Sequence, residues 1–187
     1  MENYQNAGSG IRKMFIASVG AVVCAVLLFI PIINLLAIIG TFVFGIISLV
    51  GLYGAGKDID GCQKAFMLTI INIVISVVSI PLGSGFIGAI LSIAEYVLNF
   101  MVVYLVCTSV GSVMNQIGAL EAAQKGETVW KINAVCYGVM IVVAVLGNIP
   151  VLNILAAIAS IVVAIAALVA AVLYMIFLNK CSQALNA

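Results

Sequence analysis

The sequence predicts an all-α integral membrane protein, with six transmembrane helices as three tandem helical hairpins, each turning at a proline, and both termini cytoplasmic. Three observations predict it. The 187 residues are 66% hydrophobic and only 7% charged, too few polar groups to cover a water-soluble surface. The only three prolines, Pro31, Pro81 and Pro150, each sit midway along a charge-poor segment introduced by a lysine, Lys13, Lys64 or Lys131, and such self-similarity reads as one supersecondary unit repeated. The seven basic residues, Arg12, Lys13, Lys57, Lys64, Lys125, Lys131 and Lys180, fall at the termini or between the segments and never at the prolines. Under the positive-inside rule that places the termini and the two inter-hairpin connections in the cytoplasm, and the three proline turns outside.

The first hairpin spans about 14–54, as helices 14–30 and 32–54. Arg12 and Lys13 ahead of an apolar run also suit a signal peptide, but the run leads into Pro31 and a second apolar run without a small-residue cleavage site, so it reads as the first span. The closing GLYGAGK is too short and too far from any strand for a phosphate loop. Glycine and lysine there fit a helix end.

The second hairpin spans about 65–110, as helices 65–80 and 85–110, and the third about 132–178, as helices 132–149 and 151–178. At about 1.5 Å per residue the first helix of each hairpin reaches about 24–27 Å, just short of a hydrocarbon core of about 30 Å, and the leading lysines would extend it by snorkelling. Tyr53, Tyr104, Tyr174 and Trp130 fall near the inner ends, where amphipathic aromatic anchors belong. Asn34, Asn148 and Asn153 flank the outer turns and read as turn residues.

Between the second and third hairpins lies the one sizeable polar element, a cytoplasmic connector of about 111–130. Val113, Ile117 and Leu120 recur at helical spacing, and Lys125 followed by Gly126 reads as a last-turn cation and a helix-ending glycine. The whole chain, 1–187, is a single membrane domain. Close helix approach in lipid depends on small side chains. Ala17, Ala21 and Ala25 repeat every four residues in the first helix, as do Ala156, Ser160 and Ala164 in the last. These stripes fit either packing within the bundle or a homo-oligomer.

Several function classes weaken on composition alone. A net charge of +1 without a basic cluster offers nothing to nucleic acid. Histidine is absent, which removes imidazole metal ligands, histidine general bases and nucleophile–histidine pairs. The five cysteines, Cys24, Cys62, Cys107, Cys136 and Cys181, show no CxxC spacing and read as free thiols. No cofactor, metal or catalytic residue is implied, and an enzyme ranks last.

One side chain stands apart. Glu95, in GAILSIAEYVLNF, is the only charged residue deep within a span, a position that costs a few kcal/mol unless the carboxyl is protonated or paired. No lysine, arginine or histidine lies at similar depth, so its expected neighbours are Asn99, one turn on, with Asn72 and Ser76 of the preceding helix. Glu95, Asn99, Asn72 and Ser76 form the expected polar patch, as a proton- or cation-coupling site or as hydrogen-bonding glue between helices. The leading expectation is a small multi-pass protein of the cytoplasmic membrane, a transporter or channel or the membrane subunit of a transport complex. The alternative is a non-transporting scaffold that docks a partner through the connector, or hairpins that shape the bilayer. The partners in either case are the lipid bilayer and a second copy or a membrane partner subunit.

Overall fold

A computed structural model of the chain describes residues 4–27, 30, 33–82, 85–147 and 153–186. Among them all regular structure is helical: α1 (Gln5–Leu27), α2 (Asn34–Ala55), α3 (Asp60–Leu82), α4 (Gly85–Gln116), α5 (Leu120–Leu146) and α6 (Asn153–Leu185). All six are long and apolar enough to cross a membrane. The shortest, α2, has 22 residues, about 33 Å at 1.5 Å per residue, so none falls short of the hydrocarbon core. The first helices of the pairs are longer than the apolar pattern predicts because each recruits polar residues at its start, Gln5–Lys13 in α1, Asp60–Lys64 in α3 and Glu121–Lys131 in α5. Large apolar side chains point outward, Ile80 at 81%, Leu35 at 73% and Phe42 at 71% exposure. That is the reverse of a water-soluble helical domain and suits a multi-pass membrane protein, whose outer surface meets acyl chains.

Each helix packs on the next in sequence, and α1 packs on α6, so the six close into a ring, with a further contact between α4 and α6. The core is concentrated at one end. It is built from the first turns of α1, α3 and α5 (Ala7, Ile11, Met14; Cys62, Ala65; Ala122, Ala123, Val129) and the last turns of α2, α4 and α6 (Leu52, Ala55; Val106, Val110, Met114; Phe177, Leu178, Cys181). The same end gathers polar ties. Tyr4 donates to Gln116 Oε1 at 3.2 Å, and Lys180 bonds Glu121, which also pairs with Lys125 at 3.3 Å.

Asp58, between α2 and α3, closes the start of α1 from outside that helix. Its Oδ2 accepts from the Ala7 backbone N–H at 2.8 Å, and its Oδ1 accepts from Asn6 Nδ2 at 3.1 Å. The carboxylate thus satisfies one of the donors that a helix start leaves open and sits at the positive end of the helix dipole. Asp58→Ala is expected to lower stability by about 1–2 kcal/mol and Asp58→Asn by less, read as thermal unfolding in mild detergent.

Several local expectations change. Pro31, Pro150 and Asn148 lie outside the described residues. Pro81 is not at a turn: it occupies the last turn of α3. Asn34 and Asn153 are the first residues of α2 and α6. Gly126 does not end a helix, because α5 runs unbroken from Leu120 to Leu146. The break falls at Gly118, whose φ of +81° is the left-handed conformation that glycine adopts at no steric cost. Gly126 is instead a contact glycine, where a Cβ would meet the Cys107 carbonyl oxygen at 3.0 Å and the Phe177 ring at 2.8 Å.

The small-residue stripes are only partly used. Ala17 is 1% exposed, but Ala25, Ser160 and Ala164 are exposed. Tyr174 is half-buried and packs with Phe177, ring centroids 6.4 Å apart. Tyr104 and Trp130 do pair, edge to face at 5.3 Å, and Tyr53 packs on Phe66 at 5.6 Å with Lys57 Nζ over its ring at 5.2 Å.

Candidate functional site

The candidate site lies between α3 and α4. On α4, Glu95 and Asn99 are four residues apart and share a face, and on α3 so do Asn72 and Ser79, seven apart. Two cross-helix hydrogen bonds fix the register. Asn72 Nδ2 donates to Asn99 Oδ1 at 3.1 Å, and Ser79 Oγ lies 3.0 Å from Glu95 Oε1. As the number rises on α3 it falls on α4, so the helices run antiparallel here. Asn99 Nδ2 also donates to the Glu95 backbone carbonyl at 2.9 Å, which holds the amide against its own helix. All four side chains are half-buried.

Three of the four expected residues, Glu95, Asn99 and Asn72, therefore meet in one hydrogen-bonded chain, and Ser76 does not join it. Ser76 is exposed, and Ser79 supplies the hydroxyl. At about 100° per residue, four residues on from Asn72 is about 40° off its face, whereas seven residues on is only about 20° off in the other sense. That arithmetic was available in the sequence and favours Ser79.

Ser79 also lies 2.9 Å from the Ile75 carbonyl oxygen. A hydroxyl carries one proton and accepts through its lone pairs. With the Glu95 carboxyl protonated, Ser79 O–H donates to the Ile75 carbonyl and Oγ accepts from Glu95. With the carboxylate ionised, the Ser79 hydroxyl turns to Glu95 and releases Ile75. One proton and one hydroxyl rotation separate the two arrangements, and the heavy atoms suit both.

No lysine or arginine pairs with Glu95 among the described residues. Two turns along α3 from Ser79, beside Asn99, the Asn72 side-chain carbonyl oxygen is buried and accepts no hydrogen bond. At Glu95 itself the site presents the oxygens of a carboxyl and a hydroxyl, which suit a proton or a hard cation and not a soft metal.

Comparison with known protein families, curated proteins and solved structures finds no match. The chemistry of the site rests on its own geometry. Other polar groups of the spans are turned back on their own helices: Ser18 donates to the Met14 carbonyl and Thr41 to the Ala37 carbonyl, both at 2.9 Å, and Thr69 to the Ala65 carbonyl at 2.8 Å. Such bonds satisfy the hydroxyl at the turn below and leave it little capacity for a ligand. The five cysteines are all buried and free.

Proposed function

We propose that the protein is a transporter or channel of the cytoplasmic membrane, or the membrane subunit of one, in which Glu95 couples to a proton or a hard cation. The observation that carries this reading is a carboxyl within the span of α4, hydrogen-bonded across to Ser79 and without a basic partner among the described residues. Retaining such a group costs insertion free energy that an apolar residue would not, which favours a functional role. The three-hairpin layout and cytoplasmic termini belong to the same proposal, on the placement of the basic residues. The scaffold reading has less support: Val113, Met114, Ala122 and Ala123 of the connector segment are already buried in the protein's own core, which leaves a reduced apolar face for a partner.

The test is flux through purified protein in liposomes that enclose a pH dye, with the membrane potential clamped and a proton, sodium or potassium gradient imposed. Wild-type protein is expected to accelerate dissipation of at least one gradient in proportion to its amount. Rates equal to protein-free vesicles for all three cations would overturn the proposal. Cysteines introduced at Ile30 and Gly147 report orientation in the same vesicles through an impermeant thiol reagent.

A further inference from the structure

Away from Glu95, a cavity of about 170 Å³ lies between α4, α5 and α6. Ala167, Ala171 and Tyr174 of α6 and Asn133, Cys136 and Tyr137 of α5 line it, with Val103 of α4. On each helix these residues recur at three- and four-residue spacing and so form one wall. The two alanines, one turn apart, leave the room.

The wall is not uniformly apolar. Asn133 is 8% exposed, and its Nδ2 donates to the Val129 carbonyl at 2.9 Å. Its Oδ1 and the hydroxyls of Tyr137 and Tyr174 take no hydrogen bond from the described residues. Buried polar groups are costly unless satisfied, and an acyl chain in this cavity would satisfy none of them. A cavity of about 150 Å³ lined by apolar groups holds one benzene ring. The space here is slightly larger, and the two tyrosines and the Cys136 thiol that line it are side chains whose contacts with a flat aromatic ring are favourable. No charged side chain lines it.

We infer that this cavity is a binding site for a neutral small aromatic molecule that carries an N–H or O–H group. The ring lies between α5 and α6, and its polar hydrogen reaches the Asn133 amide oxygen or a tyrosine hydroxyl. The inference is independent of the transport proposal, because the cavity shares no residue with the Glu95 site.

The experiment uses the full chain in nanodiscs, with 5-fluoroindole followed by fluorine NMR and with the modification of Cys136 by N-ethylmaleimide measured by peptide mass spectrometry. Binding is expected to give a saturable bound resonance that unlabelled indole displaces. At ten times the dissociation constant, Cys136 modification is expected to slow about tenfold, with Cys24, which lies against Gly40 of α2 and outside the cavity, unchanged. Ala171→Leu, or Ala167→Leu should the first variant fail to fold, fills the cavity and abolishes both effects while the melting temperature holds. A signal that never saturates, or one that Ala171→Leu and Ala167→Leu leave intact, is partition into lipid and overturns the inference. So does a saturable site that leaves the Cys136 rate unchanged.

Discussion

Gly10→Ala is expected to destabilise the protein by about 1–3 kcal/mol, and Gly10→Leu to leave no folded bundle, because α1 and α2 touch backbone to backbone at this point. A Cβ built on Gly10 would stand 2.5 Å from the Gly51 carbonyl oxygen and closer still to the Ala55 backbone nitrogen. Seen from the other helix, a Cβ on Gly51 would meet the Gly10 carbonyl oxygen at 2.7 Å and the Met14 nitrogen at 2.9 Å. Backbone atoms cannot swing aside as a flexible side chain can, so the helices must separate. Separation is costly here because Ile11, Met14, Leu52 and Ala55 around the crossing are among the most buried residues of the core, and parting the helices forfeits their close-packed contacts. The matched control is Gly45→Ala: nothing lies within 4 Å of a Cβ there, so the change is expected to be neutral or slightly stabilising through helix propensity. Thermal unfolding of the three variants in one detergent checks both directions. A Gly10→Ala protein as stable as Gly45→Ala would mean that the α1–α2 crossing is looser than this geometry.

The contrast between Gly10 and Gly126 on one side and Gly118 on the other shows what the sequence could and could not convey. Six apolar segments were legible, because crossing a bilayer demands length and low charge, which composition displays directly. The role of a particular glycine was not. Gly126 follows a lysine, as a helix-ending glycine does, yet it is enclosed by Phe177 and Cys107, whereas Gly118 takes the positive φ. Only the partner helices distinguish a glycine kept for its φ from one kept for its missing side chain. The same holds for the alanine stripes. Four-residue spacing identifies one face of a helix, but Ala17 is buried while Ala164 is exposed. For the polar patch, periodicity was enough to bring Glu95, Asn99 and Asn72 together. One-turn spacing from Asn72 points to Ser76, although two turns, to Ser79, keep the face more closely.

Glu95→Gln is expected to reduce cation or proton flux in proteoliposomes by roughly 10²-fold, the scale on which a positioned proton-transfer group contributes, while thermal stability changes by less than about 0.5 kcal/mol. The carboxamide keeps the shape of the carboxyl and an oxygen for the Ser79 hydroxyl, but it cannot exchange a proton or offer a negative charge. Glu95→Leu carries the argument further. It removes the carboxyl altogether, yet Ser79 retains the Ile75 carbonyl at 2.9 Å and Asn99 retains the Glu95 backbone carbonyl and Asn72, so no polar partner is stranded. Because a carboxyl within the span also costs insertion free energy, Glu95→Leu is expected to be at least as stable as wild type and inactive. A residue that the fold tolerates losing but transport does not is one retained for function. The opposite pattern, flux equal to wild type in Glu95→Gln together with a large loss of stability in Glu95→Leu, would make Glu95 a hydrogen-bonding tie between α3 and α4 and remove the ground for the transport proposal.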